Sequence, residues 1–310
     1  MIILQAGVPR SGNLWVYRTI QHMLENANVA IKSYVSEYRE FIAAHNVHDL
    51  TQTFTHDVIN IKPEGLFWEP SHLSRLHIHD IDAYLQACTH IWSHSHFIDE
   101  FFDVYTKFSH IFYILRDPRD VLISNARYLY TEKMRTYRPN QHAHNPQDFL
   151  EQRHFAVVHN WVRHVGGYLK HYERLNMHFI FYENMLADFD REFNALQNFL
   201  GFSVSGQDSK IIKEAVSFSA MHEEKPDHVN KGQAGQWLNV LTDEQINAIN
   251  RVAGPMLALL GYSLTGSQSQ LPKLIQGGFS PADIEHILNQ AEEERLRLNR
   301  LADKNKNKHS

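Results

Sequence analysis

The chain begins with MIILQAGVPRSGNLW (residues 1–15), and this stretch decides the fold. Residues 1–8 are short and apolar, a pattern that predicts a buried β-strand. Pro9 and Gly12 end the strand, and apolar residues then recur at helical spacing over residues 13–26. A strand, a tight loop and a helix therefore open the chain, as in a parallel α/β sheet.

The same alternation continues along the chain and predicts an α/β fold, a P-loop-like parallel sheet flanked by helices on both faces. Further strands are predicted at 90–93, 111–115 and 178–182, and helices at 97–107, 118–130, 149–175 with a bend at Gly166-Gly167, 184–200, 207–217 and 242–260. Residues 131–147 and 218–236 are predicted to be loops, and residues 30–84 show no clear pattern. A linker after Tyr262 and a charged helix from Ser280-Pro281 predict a domain over 1–262 and a C-terminal helical extension over 263–310.

The composition excludes several classes of protein. With 43% hydrophobic and 21% charged residues among 310, the chain has enough apolar side chains for a sizeable core and is not disordered or collagen-like. A net charge of −5 argues against general nucleic-acid binding, which relies on broad positive charge. The single cysteine, Cys88, excludes an intrachain disulfide and fits a reducing, cytoplasmic location. We expect neither a signal peptide nor a membrane span, because the apolar stretch at 2–8 is short and no other apolar run is long enough.

The loop Gly7-Val8-Pro9-Arg10-Ser11-Gly12-Asn13 has the features of an anion site. A glycine-containing loop between a strand and a helix directs backbone N–H groups and the helix dipole at an anion, and Arg10 adds a fixed positive charge. The loop half-matches a nucleotide P-loop, but Asn13-Leu14 stands where the Lys-Ser/Thr for terminal phosphates and Mg²⁺ would be. A plain strand-to-helix turn is the alternative.

A second segment, Arg116-Asp117-Pro118-Arg119-Asp120-Val121-Leu122-Ile123-Ser124, also follows a strand and opens a helix. Ligands of open α/β sheets bind at that edge. Arg116 and Ser124 are placed to face one phosphate, for which arginine is well suited. An Arg–Asp network that caps the helix is the alternative.

Together the two segments resemble the sulfotransferases that use 3′-phosphoadenosine 5′-phosphosulfate (PAPS). The first is similar to the family's Pro-Lys/Arg-Ser-Gly-x-x-Trp loop for the 5′-phosphosulfate, and the second to its Arg-x-Pro-x-Asp-x-x-x-Ser motif for the 3′-phosphate. Further similar motifs follow in the family's order: Phe181-Tyr182-Glu183-Asn184-Met185 with Phe199-Leu200-Gly201, Ser217-Phe218 with Met221, and Lys231-Gly232-Gln233-Ala234-Gly235-Gln236-Trp237. The resemblance covers residues 1–262.

The resemblance implies a role for each matching residue. The 5′-phosphosulfate is held by Arg10 and the loop residues Ser11, Gly12, Asn13, Leu14 and Trp15. The 3′-phosphate is held by Arg116, Ser124 and Lys231, with Gly232 letting the backbone approach. Trp15 and Phe218 flank the adenine and Tyr182 lies near it; simple core packing is the alternative for these aromatic residues.

Three departures from the family pattern bear on cofactor affinity. Arg10 stands where many members have Lys, and Asn13-Leu14 where many have Thr-Thr, so the Asn amide replaces a hydroxyl contact. Asn230 stands where an Arg usually precedes Lys231. One positive charge at the 3′-phosphate is therefore missing unless Arg119 or Lys225 supplies it.

The chain has 22 histidines, several of them alternating, but no cysteine or carboxylate accompanies them in a recognisable ligand pattern, and we predict no metal site. Trp92-Ser93-His94 resembles the Lys-Thr-His segment that supplies the family's catalytic base, with Trp in place of Lys. We therefore predict that His94 is the base. His96 is its competitor, because in an extended segment both side chains would point to the same face.

The resemblance implies transfer of a sulfuryl group from PAPS to a small-molecule or carbohydrate acceptor, with PAP as the other product. The acceptor group is a hydroxyl in preference to an amine. Arg10 would stabilise the departing 5′-phosphate, and no metal is required. A P-loop kinase of small molecules and a non-catalytic nucleotide-binding protein are the alternatives. Since Met1 almost starts the first strand, we expect no acceptor-binding segment before it and assign specificity to residues 30–84 and to 131–147, a predicted mobile lid.

The C-terminal helix carries a short heptad-like seam of Ile284, Ile287, Ala291, Leu298 and Leu301. We expect this seam either to pack on the domain or to pair with a second copy of the chain in a homo-oligomer. A loosely attached, solvated helix is the alternative.

Overall fold

A computed structural model describes residues 1–37, 56–71, 74–137, 143–224, 232–266, 271–275 and 277–306. Its centre is a seven-stranded sheet in the order β4-β3-β2-β5-β1-β6-β7. The strands are β1 (Ile3–Gly7), β2 (Asp57–Lys62), β3 (Gly65–Ser71), β4 (Ser74–His77), β5 (His90–Ser93), β6 (His110–Leu115) and β7 (Met177–Phe181).

Five neighbouring strands of this sheet are parallel, as the sequence predicts. β1 lies at their centre, and its Leu4 pairs with Ile91 of β5 and Ile111 of β6. β2 adds to β5 and β7 adds to β6 in the same direction. The carboxyl ends of β1, β5 and β6 consequently meet at one edge of the sheet, where ligands of open α/β sheets bind.

The region 30–84, which shows no clear sequence pattern, supplies the other edge of the sheet. β3 runs antiparallel to β2, and β4 antiparallel to β3 with an irregular register between Trp68 and Ser71. Pro70 and this register shift interrupt the alternation of apolar and polar residues, which explains why the sequence does not predict these strands.

The helices surround the sheet. They are α1 (Asn13–Asn26), α2 (Tyr34–Glu37), α3 (Ile81–Gln86), α4 (Phe102–Tyr105), α5 (Pro118–Leu129), α6 (Glu132–Tyr137), α7 (Pro146–Leu169), α8 (Tyr182–Ala187), α9 (Phe189–Leu200), α10 (Gly206–Ala215), α11 (Phe218–Glu224), α12 (Trp237–Val240), α13 (Asp243–Leu259) and α14 (Pro281–Lys306). In the described part of the chain, no helix is both long and apolar enough to cross a membrane.

Successive side chains of a strand point to opposite faces of the sheet, and each face builds its own core. On one face, Ile3, Phe112 and Ile180 pack against α1 and α9. On the other face, Leu4 and Tyr113 pack against α7 and α13. The sheet is covered on both faces, as expected for parallel strands.

Several predicted boundaries are wrong. Residues 132–137 of the predicted 131–147 loop form α6, residues 138–142 lie outside the described residues, and residues 218–224 of the second predicted loop form α11. The predicted 149–175 helix is α7, which begins at Pro146, ends at Leu169 and stays helical through both glycines. The predicted 184–200 helix is two helices, because the Asp188 side chain accepts a hydrogen bond from the Arg191 N–H and begins a new helix there.

The C-terminal helix α14 packs on the domain. Ile284, Ile287, Ala291 and Leu298 of the predicted seam are buried against α7 and α13. The packing is close at Gly166 of α7, where an added Cβ would lie 2.6 Å from Cδ2 of Leu288. These four residues of the seam therefore pack within the chain, which is the first of the two arrangements that we expect from the sequence.

Candidate active site

Three loops converge at the carboxyl edge of the parallel strands. They follow β1, β5 and β6, and they contain Arg10, His94 and Arg116 respectively. These residues are far apart in sequence, and the parallel register of the strands brings them to one edge.

The loop after β1 is tightly wound. Arg10 and Gly12 have φ angles of 73° and 95°, in the left-handed region. A Cβ on Gly12 would lie 2.6 Å from Cδ2 of Tyr182, so only glycine fits without moving that ring. The Asn13 amide nitrogen donates to the Val8 carbonyl over 2.8 Å and braces the loop from inside, a role distinct from the predicted contact to a phosphate.

Arg116 is held ready to bind an anion. Its Nη1 donates to the Arg10 carbonyl over 3.1 Å and its Nη2 to the Gln233 carbonyl over 3.0 Å, while the guanidinium carbon lies 4.2 Å from the centre of the Tyr182 ring. No carboxylate of the described residues forms an ion pair with it. The partners that fix Arg116 are thus neutral, and its positive charge is available to a ligand.

Arg10 lies beside the second motif. Its Nε donates to Ser124 Oγ over 3.2 Å, and its guanidinium carbon lies 4.3 Å from the centre of the Tyr128 ring. Burial, and to a smaller extent the charge of Arg116, lowers the pKa of Arg10 to about 10, so the side chain stays charged at neutral pH. The loop after β1 and the second motif are therefore adjacent, and Arg10 joins them through Ser124.

Several predicted cofactor residues carry buried polar atoms that lack any hydrogen-bond partner. They are Ser11 Oγ, Asn13 Oδ1, Trp15 Nε1 and Arg116 Nε. Three of these four atoms are hydrogen-bond donors, and leaving a buried donor unpaired is costly. The oxygens of ionised phosphate and sulfate groups accept hydrogen bonds. A phosphosulfate nucleotide would therefore supply the acceptors that Ser11 Oγ and Arg116 Nε lack.

The aromatic residues cluster behind the loop. Trp15 lies 4.7 Å from Phe218 and 5.9 Å from Tyr182 between ring centroids. Because Trp15 and Phe218 contact each other, an adenine would lie beside this pair and not between its rings in this arrangement. The role of these residues in adenine binding stays a prediction.

The loop from Gly232 to Trp237 is tied to α5 by Asp120. The Asp120 carboxylate accepts hydrogen bonds from the N–H groups of Gly235 (2.6 Å) and Trp237 (3.1 Å). Gly232 has a φ of 56°, and a Cβ there would lie 2.5 Å from the Phe218 ring. Lys231, Asn230 and Lys225 lie outside the described residues, so the predicted contact of Lys231 to the 3′-phosphate stays a prediction.

Arg119 does not supply the missing charge at the 3′-phosphate. It is buried, forms a 2.6 Å ion pair with Asp117 and stacks 3.6 Å from the centre of the Trp237 ring. Its Nη2 also donates to the Ser263 carbonyl over 2.7 Å. The Arg–Asp network that we considered as an alternative for this motif therefore exists, but it involves Arg119 and leaves Arg116 at the edge.

Glu183 lies beneath this site. Its carboxylate accepts hydrogen bonds from the Asp117 N–H and the Tyr262 hydroxyl, both over 2.9 Å. Burial raises the pKa of Glu183 to about 7. Glu183 thus ties the start of α5 to the end of the domain.

His94 and His96 point in different directions. The exposed His94 ring donates from Nδ1 to the Gly7 carbonyl over 2.6 Å, which ties it to the start of the phosphate loop. The His96 Nε2 lies 2.9 Å from Oδ1 of Asn160 on α7, and burial lowers the pKa of His96. The expectation that both side chains share one face is therefore not met, since only His94 contacts the loop that carries Arg10.

Helix α7 supports the edge with three side chains that the sequence analysis did not single out. Trp161 Nε1 donates to the Arg116 carbonyl (3.0 Å), His164 Nε2 to the His94 carbonyl (3.2 Å) and the Tyr168 hydroxyl to the Ser95 carbonyl (3.2 Å). Burial lowers the pKa of His164 to about 3, so it stays neutral. Their spacing of three and four residues on one helix face is a visible signal, but it is also that of ordinary core residues.

No group of three His, Cys, Asp or Glu side chains is placed to hold a metal ion within the described ranges.

Comparison with known proteins gives matches to sulfotransferases. Residues 2–261 match the family model of the sulfotransferase domain. Cytosolic sulfotransferase 1 of Danio rerio is 27% identical over 161 residues, which are 46% of this chain and 52% of the relative. The 3-alpha-hydroxysteroid sulfotransferase of Cavia porcellus is 25% identical over 168 residues, 49% of this chain and 56% of the relative. These matches span about half the length of each relative.

Two solved structures share the fold. A mouse sulfotransferase complexed with PAP has a TM-score of 0.50 and 19% identity, covering 80% of this chain and 81% of its own. Retinol dehydratase in complex with androsterone and PAP has a TM-score of 0.53 and 18% identity, covering 83% of this chain and 80% of its own.

Proposed function

Because the chain belongs to the sulfotransferase family, we propose that it transfers a sulfuryl group from PAPS to a hydroxyl of a small-molecule or carbohydrate acceptor. PAPS supplies the sulfuryl group: the acceptor oxygen forms a bond to sulfur while the bond from sulfur to the 5′-phosphate oxygen breaks, and PAP remains. The observation that carries the proposal is the meeting of Arg10, Arg116 and His94 at one strand edge.

In this proposal the two arginines and the loop bind the cofactor. Arg116 and Ser124 hold the 3′-phosphate, together with the predicted contribution of Lys231. Arg10 lies next to Ser124, at the boundary between the two motifs. From there its side chain stabilises negative charge on the 5′-phosphate. Since arginine keeps its proton at neutral pH, Arg10 acts by charge and not as a general acid.

His94 is the proposed general base. Its Nδ1 donates to the Gly7 carbonyl, so in the neutral ring Nε2 carries the lone pair. An acceptor hydroxyl must lose its proton as its oxygen attacks sulfur, and Nε2 receives that proton. The hydrogen bond to Gly7 holds the base at the loop that binds the phosphosulfate.

The proposal for the acceptor rests on the relatives. One relative is named a hydroxysteroid sulfotransferase, and one structure holds androsterone, so hydroxylated small molecules are the first acceptors to test. The name of the zebrafish relative supports a cytoplasmic location.

Two experiments test this function. Thermal unfolding is measured with PAP and with ATP-Mg²⁺; a PAP site raises the melting temperature by mass action, and ATP-Mg²⁺ at equal concentration does not match it. Labelled PAPS is then incubated with steroid, phenol, sugar and amine acceptors. Stabilisation by ATP-Mg²⁺ alone would support the kinase alternative, and PAP binding with no transfer to any acceptor would support a non-catalytic nucleotide-binding protein.

A further inference from the structure

The His94 ring makes a hydrogen bond at each nitrogen, and the partners are of opposite kinds. Nδ1 faces the Gly7 carbonyl oxygen, which only accepts, over 2.6 Å. Nε2 faces the indole Nε1–H of Trp92, which only donates, over 3.1 Å. A neutral imidazole has one N–H and one lone pair, so these partners select the Nδ1–H tautomer with the lone pair on Nε2.

Trp92 is firmly held. It is 6% exposed on β5, between Gln5 of β1 and Val58 of β2. Its ring stacks on His56, with centroids 4.7 Å apart and planes at 27°, and it lies 5.6 Å from the Tyr17 ring. The indole N–H is thereby held toward His94 by packing against the His56 and Tyr17 rings, which also contact each other with centroids 5.2 Å apart.

We propose that Trp92 is a positioning residue that sets the tautomer and the proton affinity of His94. The proposal rests on the proposed function only in naming His94 as the base. The indole N–H donates to the lone pair of Nε2 and stabilises the neutral ring. When Nε2 takes the acceptor proton, this hydrogen bond is lost and two N–H groups face each other, which favours loss of that proton to the surrounding water.

Three other histidines lie near this pair. His164 of α7 contacts His94 at its backbone carbonyl, and burial keeps His164 neutral. His96 is turned toward Asn160, and His56 lies against the Trp92 ring. The Gly7 carbonyl and the Trp92 indole, which contact the His94 ring nitrogens, do not titrate at neutral pH.

Trp92→Phe tests the proposal, because it keeps an aromatic ring on β5 and removes the N–H. Trp68→Phe is the matched control: Trp68 is a buried indole on β3 that packs against Tyr34 on the other side of the sheet. Both variants are first checked for folding by circular dichroism and for PAP binding by calorimetry.

The first readout is independent of activity. ¹⁵N NMR of histidine-labelled protein, with the His94 signal assigned from a His94→Gln variant, reports the tautomer directly. We expect the Nδ1–H tautomer in the wild type and in Trp68→Phe, and a changed Nε2 shift in Trp92→Phe. A wild-type Nε2–H tautomer, or an Nε2 shift that Trp92→Phe leaves unchanged, would overturn the proposal.

The second readout is the pH dependence of turnover with the best acceptor. Without the indole donor, protonated His94 is no longer opposed, so the acid limb of the pH–rate profile moves to higher pH by about 0.5–1 unit. If Trp92→Phe loses turnover at every pH while the acid limb of its profile stays at the wild-type position, Trp92 has only a structural role and the proposal is wrong. If no variant and no wild-type sample transfers sulfate, the proposed function fails, while the NMR result still decides the role of Trp92.

Discussion

Replacement of Arg116 by alanine separates the two phosphate contacts of the proposed cofactor site. We expect Arg116→Ala to weaken binding of PAP far more than binding of adenosine 5′-phosphosulfate, because only PAP carries a 3′-phosphate. The Arg116 Nε is buried without a partner, and its other nitrogens are held by two carbonyls. A hydrogen bond to a charged group contributes about 1.5–3 kcal/mol, which corresponds to a roughly 10- to 150-fold increase in Kd.

Isothermal titration calorimetry with both nucleotides measures this difference. Arg127→Ala is the control, because Arg127 lies on helix α5, which begins just after Arg116, and its Nη1 donates to Gln236 of the neighbouring loop over 2.6 Å. Arg116→Lys keeps the charge but not both carbonyl contacts, so we expect it to lie between the wild type and Arg116→Ala. Equal losses for the two nucleotides in Arg116→Ala would show that Arg116 only holds the loops together and does not bind the 3′-phosphate.

Four further predictions follow from the same geometry. Arg10→Lys should keep appreciable turnover in the labelled-PAPS assay, and Arg10→Ala should lose most of it. Both variants place a residue with a Cβ at the positive φ of position 10, so backbone strain is the same in the two. Equal turnover in the two variants would therefore place Arg10 away from the reaction. Gly12→Ala should lower the free energy of unfolding by about 1–3 kcal/mol in urea titrations, because its Cβ meets Tyr182 at a positive φ, and an unchanged stability would contradict this contact. Burial raises the pKa of Glu183 from 4.5 to about 7, so between these pH values the folded protein binds more protons than the unfolded chain and loses stability as pH rises. Over this window the melting temperature of Glu183→Gln should fall less steeply with pH than that of the wild type. Parallel curves of melting temperature against pH would argue against this role of Glu183. Truncation after Gly278 should lower the melting temperature, because it exposes the α7 surface that α14 covers, and an unchanged value would mean that this packing adds no stability.

The fold class and the candidate phosphate-binding residues follow from the sequence alone. The opening strand, loop and helix lie within a few residues of one another, so their pattern depends on local chemistry alone. The same holds for Pro118 at the start of α5, where Asp117 caps the helix. His94 and Arg116 directly follow a parallel strand and Arg10 lies in the loop after one, and parallel strands end at one edge, so their proximity is predictable without coordinates.

The tertiary structure decided what depends on contacts between distant residues. The antiparallel strands β3 and β4, the docking of α14 on α7 and the support of the edge by Trp161, His164 and Tyr168 all join segments whose own patterns are ordinary. The different partners of His94 and His96 also required coordinates, because the alternation of an extended chain gives both the same face. A hydrogen bond to Gly7, 87 residues away, turns one ring to the phosphate loop, and Asn160 on α7 holds the other. Hydrogen-bond partners at such separations are set by how the layers pack, which no local spacing of residues encodes.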